Sequence, residues 1–259
     1  MIQFTLYTAY CIGNVLNCLY PKKAVITDKE SMLQAIRTDH VSVEYKDSYR
    51  SGANFISADN VVLDCDNGHS DEPKDWVTGE DVARAFPGVP FVVATSRNHM
   101  RQKDGKSARP RFHVYFATLV ITDAGEYASL KKRVAAAFPF FDQNALDSAR
   151  SIFGTENVEV EIFDGDLDLV EFLDEENFRD WDDEKNQIPE GKRNSTMSRI
   201  AGRLIKRYGD EKFLRQAEKC SPPLEGEELK TIWNSAVSFG RKVAAQEGYI
   251  PPEVYNSDM

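Results

Sequence analysis

Nowhere in the 259 residues does an apolar run approach the roughly 20 residues needed to cross a bilayer, so no membrane-spanning helix is expected. The apolar segment Met1 to Ala9 has no basic stretch before it and no small-residue cleavage site after it. It reads as a strand of the mature protein, with the cytoplasm as the expected address. Cysteine is scarce. Cys11, Cys18, Cys65 and Cys220 make no C-x-x-C pair and have no histidine at zinc-finger spacing, which argues against structural zinc and a disulfide framework and for reduced thiols. There is no G-x-x-x-x-G-K-[ST] phosphate loop, no internal repeat and no low-complexity tract beyond one acidic stretch.

That stretch dominates the charge. Residues 155–187 hold fourteen Asp or Glu against Arg179 and Lys185, a local balance of −12 in a chain of net −10, which leaves +2 elsewhere. Within the remainder, Arg97 to Arg111 sets six Lys or Arg against one acid, and Lys192 to Lys219 sets nine against three. Two basic patches on either side of an acidic connector keep a nucleic-acid partner open despite the acidic total.

Periodicity predicts strands at Ile2 to Ala9, Ala58 to Asp66, Pro90 to Ser96, Arg111 to Leu119 and Val158 to Phe163. It predicts helices over Ser31 to Asp39, Thr78 to Phe86 and Asp123 to Ala137, with Arg97 to Pro110 as a polar loop. Strands and helices mix without strict alternation, which indicates an α+β domain. After the acidic connector only short helices are expected: Ser195 to Tyr208, Asp210 to Lys219 and Glu225 to Phe239. In the first of these, Met197, Ile200, Ala201, Leu204 and Ile205 form an apolar stripe, with Arg199, Arg203 and Arg207 on another face.

Chemistry concentrates in three places. Asp64 and Asp66 stand two apart at a strand end, so their side chains leave one face; such oxygen donors suit Mg²⁺ or Mn²⁺, although two acids also commonly end a solvated strand. The Asp164 to Glu175 stretch has calcium-loop spacing, but Leu169 stands where that loop requires glycine. In Arg109 to Phe116, Arg111, His113 and Tyr115 share one face of a strand, with Phe112, Val114 and Phe116 on the other. With Arg97, Lys106 and Arg109 in the preceding loop, this cluster suits a nucleoside triphosphate and its metals, or else His113 is a hydrogen-bonded structural residue. Finally, Asp142 or Asp147 offers a third acid, with Arg150 for a phosphate or the other carboxylate, while Asp147 reads equally well as a helix cap.

The ordered set of an apolar strand ending in Asp64-x-Asp66, a strand carrying His113, and then Asp142 resembles the archaeo-eukaryotic primase superfamily, particularly the primase-polymerases of phages and plasmids. Asp64-Cys65-Asp66-Asn67, Ser96-Arg97-Asn98-His99-Met100 and Lys106 to His113 are similar to that phage branch. Ile188 to Asn194, Ala201-Gly202 and Ser221 to Leu224 are similar to the small helical domain that follows many such catalytic domains.

The resemblance implies a catalytic domain at 1–175 built on an RNA-recognition-like mixed sheet. An acidic linker at 176–187, an all-α primase C-terminal domain at 188–247 and a tail at 248–259 would follow. It implies two divalent ions on Asp64, Asp66 and Asp142, His113 on the triphosphate, and Arg97, Lys106, Arg109, Arg111 and Arg150 as further nucleotide contacts. Arg50 is a weaker candidate for the same role. Arg193, Arg199, Arg203 and Arg207 would hold a single-stranded DNA template. The activity implied is primer synthesis and extension from nucleoside triphosphates, with a helicase in cis or in trans.

Two other classes compete. A rolling-circle replication endonuclease would use Tyr127 as nucleophile, but Arg111 stands where the partner of His113 should be. A non-catalytic single-stranded nucleic-acid-binding subunit would need neither acid.

Overall fold

The computed structural model describes residues 2–144, 146–173, 188–189, 193, 197, 201, 214, 217–218 and 220–244. Each early helix begins where a side chain satisfies its orphan amides. Asp28 caps α1 (Lys29–Ala35) by accepting from the Ser31 amide, and Thr78 caps α2 (Gly79–Ala85) through a reciprocal box with Asp81. Asp123 caps α3 (Ala124–Ala137) from the Glu126 amide. A short α4 (Leu169–Leu173) and a long α5 (Gly226–Ala244) complete the described helices, and none is long and apolar enough to cross a membrane.

The chain groups into two units, 1–73 with 89–173 and 74–88 with 174–259. The segment carrying α2 groups with the second unit.

In the first unit, β1 (Phe4–Thr8), β2 (Lys22–Ile26) and β3 (His40–Val41) form a small antiparallel sheet in the order β2-β1-β3. The larger sheet has the order β10-β6-β9-β5-β4. It is made of β4 (Val43–Tyr45), β5 (Phe55–Cys65), β6 (Phe91–Thr95), β9 (Phe112–Ile121) and β10 (Val160–Phe163). The expectation of a mixed sheet is corrected: every neighbouring pair here is antiparallel, because β9 inserts between β5 and β6 and separates the two strands that run the same way.

The region expected as a loop at Arg97 to Pro110 contains a hairpin of β7 (Arg101–Lys103) and β8 (Lys106–Arg109). Its two-residue tip, Asp104-Gly105, has positive φ at both positions, the backbone that an Asp-Gly turn adopts readily.

Side-chain alternation sorts the larger sheet into two buried faces. Val62, Val92, Tyr115 and Val160 meet Ile2, Phe4 and Leu6 around β1, with Met32, Ala35 and Ile36 in and after α1. The opposite face carries Val61, Leu63, Val114 and Phe116 and lies beneath α3, whose Tyr127, Leu130 and Val134 are buried. Each such side chain removed from water contributes roughly 1.5–3 kcal/mol. A sheet packed on both sides is therefore a rigid platform, and a polar group on it stands out.

In the second unit, β11 (Ile188–Pro189) pairs in parallel with β12 (Cys220–Ser221). Met197, Ala201, Ala217, Cys220, Leu224 and Ala236 form a small core. The expected helices at Ser195 to Tyr208 and Asp210 to Lys219 lie mostly outside the described residues, as do the acidic linker and the tail.

Candidate active site

Along the β9 face turned toward β1, Tyr115 and His113 follow at a two-residue step, and the antiparallel register sets Val62 opposite Tyr115 and Asp64 opposite His113. On β5 this face carries the buried Asn60, whose side-chain amide donates to the Thr5 carbonyl at 2.7 Å, then Val62, and becomes ionisable where β5 ends. Asp64 Oδ1 lies 3.5 Å from His113 Nε2, and the Arg150 guanidinium donates to the other Asp64 oxygen. Asp66 binds Lys103 Nζ at 3.1 Å. The loop after α3 docks against the same strand end, its Asp142 amide donating to the Asp64 carbonyl at 2.8 Å.

Burial lowers the pKa of His113 below its ordinary value, against the opposing pull of Asp64, so the imidazole is neutral at pH 7. Burial likewise brings Lys131 down to about 8, while Asp64 and Asp147 favour its charge. Lys131 Nζ donates to the Asp147 carbonyl at 3.3 Å and so ties α3 to the Asp142–Arg150 loop.

Behind His113, the Tyr115 hydroxyl is 2.8 Å from His40 Nε2, and His40 Nδ1 is 3.0 Å from the Thr38 carbonyl. A carbonyl only accepts, so the His40 proton is on Nδ1, and Nε2 accepts from Tyr115. Burial depresses His40 to about 4.

The remaining expected residues are placed as follows. Lys106 Nζ donates to the Gly68 carbonyl at 2.7 Å, and the Arg97 guanidinium lies 4.2 Å over the Phe153 ring. Arg50 Nη1 donates to the Ala149 carbonyl at 2.9 Å. Arg109 and Arg111, expected as nucleotide contacts, are both buried. Arg109 donates to the Asn67 and Ser70 carbonyls at 2.8 and 2.9 Å and pairs with Asp71, while Arg111 donates to the Asn98 and Arg101 carbonyls at 3.1 and 2.5 Å. The physical reason is that loop carbonyls without ladder partners need donors, and a guanidinium supplies five.

The Asp142 carboxylate accepts from the Asn144 amide and side chain at 2.9 and 2.7 Å, and Asp147 accepts from the Ala149 amide at 2.6 Å, the local turn use of an aspartate. Arg193 donates to the Pro222 and Pro223 carbonyls at 2.6 and 3.0 Å. Arg199, Arg203 and Arg207 lie outside the described residues. Tyr127, the nucleophile of the endonuclease reading, is only 2 % exposed and packs on Phe55, where no phosphodiester reaches it.

Among the described residues, no group of three or more His, Cys, Asp or Glu is gathered as a metal would require. Asp64 and Asp66 fit a hard divalent cation in donor chemistry and in their shared strand end, with Arg150 and Lys103 now engaging their oxygens. The sequence reading passed over the roles of Lys131 and His40. The available signal for Lys131 was a lysine at the i+4 position of the Tyr127–Val134 stripe, where a solvated cation does not belong.

No family model and no curated protein matches the chain. Among solved structures, the archaeo-eukaryotic primase domain of the primase-polymerase from cyanophage S-2L is similar at 17 % identity and a TM-score of 0.36, covering 64 % of this chain and 85 % of that one. A likeness of that size leaves the functional reading to the residues themselves.

Proposed function

We propose that the first unit is a template-directed nucleotidyltransferase, a primase-polymerase that extends or initiates a strand on single-stranded DNA. The observation that carries this is the pairing of Asp64 with His113 across β5 and β9, with Asp66 two residues on and two cations, Lys103 and Arg150, on the carboxylates. In the reaction the 3′-oxygen of the growing strand bonds to the α-phosphorus of a nucleoside triphosphate, the bond to the bridging oxygen breaks, pyrophosphate leaves and the hydroxyl proton passes to water.

Asp64 and Asp66, with Asp142 as the third acid, would hold Mg²⁺ or Mn²⁺, which would supply Lewis acidity at that phosphate. Neutral His113 offers a hydrogen bond to the triphosphate without adding charge. Arg150 and Lys103, the cations paired with those carboxylates, would take up phosphate oxygens. Strand separation falls to a helicase in cis or in trans.

The test is incubation with single-stranded DNA, Mg²⁺ or Mn²⁺ and labelled nucleotides, with and without a primer, comparing the native chain with Asp64→Ala/Asp66→Ala. Metal-dependent products are expected from the native chain, with a loss of at least about a hundredfold in the double variant. A second reading, a non-catalytic single-stranded nucleic-acid-binding module, is favoured by the ion pairs that already occupy both carboxylates. On that reading no product forms on either template, and DNA binding is indifferent to the substitution.

A further inference from the structure

The segment between β1 and β2 is built in an unusual way for a surface loop. Val15 is 73 % exposed, Leu16 85 % and Tyr10 76 %, and Ile12, Leu19 and the bridged Tyr49 are exposed beside them. Single exposed apolar residues need no explanation, but five within the ten residues 10–19 mark a binding surface.

This cluster is also held in place. The buried Asp39 carboxylate accepts from the amides of Gly13, Asn14 and Gly154 at 2.7, 3.0 and 2.8 Å. Asn14 and Asn17 side chains brace the Leu16 and Leu19 amides at 3.0 and 3.3 Å. The loop is thus fixed at its base while its apolar tips face outward, which lowers the ordering cost of binding.

The charged side chains of its own segment are all cationic. Residues 1–27 contain no Asp or Glu, in a chain of net −10, and hold Lys22 and Lys23. Lys22 Nζ stands 4.2 Å over the Tyr10 ring, and the Arg97 guanidinium comes within 3.8 Å of where a side chain on Gly13 would begin. The loop also borders the candidate site. The Arg50 amide donates to Cys18 at 2.7 Å, its guanidinium reaches Ala149, and the next residue, Arg150, holds Asp64.

We propose that the 10–19 loop is a stacking platform for the unpaired bases of a single-stranded nucleic acid, with Lys22, Lys23 and Arg97 on its phosphates. The Tyr10 ring takes a base face and the apolar tips pack on bases without regard to sequence, while Lys22 and Lys23, in a segment that itself carries no acid, and Arg97 beside it draw the backbone. A protein partner would explain the apolar cluster but not the absence of acids from residues 1–27. The inference rests on the nucleotidyltransferase reading only for its assignment of the strand as template.

The test is fluorescence anisotropy of a labelled oligothymidylate with the full chain, without nucleotide, for the native protein, Val15→Ser/Leu16→Ser and Tyr10→Ala. Each variant is expected to bind about tenfold more weakly with an unchanged melting temperature, these side chains being exposed. Native-like affinity in the variants, or no binding by the native chain, overturns the proposal. A native dimer that the double variant breaks without loss of DNA binding overturns it in favour of a second copy as occupant. A native chain that binds DNA through the loop yet makes no product leaves the platform standing and removes only the catalytic reading.

Discussion

His40 shows how a single buried residue couples this fold to pH. Its ring is closed in by the Thr38 carbonyl and the Tyr115 hydroxyl, with Asp39 favouring its charge and His113 opposing it. In the unfolded chain it titrates near 6.5, and in the folded protein near 4. Between those values the unfolded state binds the extra proton, so stability rises with pH. The contribution is complete above about pH 6.5 and is lost as pH falls toward 4, by on the order of 3 kcal/mol. Melting temperatures measured from pH 4 to 7.5 should fall steadily on the acid side, and the slope should flatten in His40→Gln. An equal slope in the variant would assign the acid sensitivity to other groups.

Between elements, the burial of Arg109 at the end of β8 makes it a brace for the 67–71 turn that follows β5, and so for the position of Asp66. Arg109→Ala should therefore destabilise the fold by about 2 kcal/mol, since it leaves loop carbonyls unbonded in the interior. A melting experiment beside a nucleotide titration separates this from a direct phosphate contact, which would weaken nucleotide binding at unchanged stability.

The same residue marks where sequence reading stopped. The apolar runs of β5, β6 and β9 and the helix starts at Thr78 and Asp123 were legible because alternation and capping chemistry are local. Asp64 and His113 were each legible as ionisable groups on strands. That Arg109 and Arg111 turn inward was not, because it depends on carbonyls left unpaired in the 67–71 turn, about 40 residues before Arg109, and at Asn98 and Arg101. β2, β3 and β4 are hidden in the sequence for a related reason: they are short and take their pairing from distant partners. The Asp104-Gly105 turn, by contrast, carried a local signal that went unused.

At the scale of the molecule, the second unit draws on two separated stretches, residues 74–88 and 174–259. Val77, Val82, Ala85 and Phe86 are buried, and α2 packs with α5 inside that unit. A chain ending at Leu173 keeps both sheets and α3 but loses the partner of α2. It should therefore bind a hydrophobic dye more strongly than the full chain and elute from size exclusion as larger species; behaviour identical to the full chain would show that α2 finds cover without α5.

During synthesis the same arrangement imposes a wait. Residue 88 leaves the ribosome about 156 residues before α5 is finished, which at roughly 5–20 residues per second is on the order of ten to thirty seconds. For that interval Val77, Val82 and Phe86 are open to chaperones and to wrong partners. The yield of folded protein should thus follow translation speed and chaperone supply, quantities that the stability of the finished fold does not reveal.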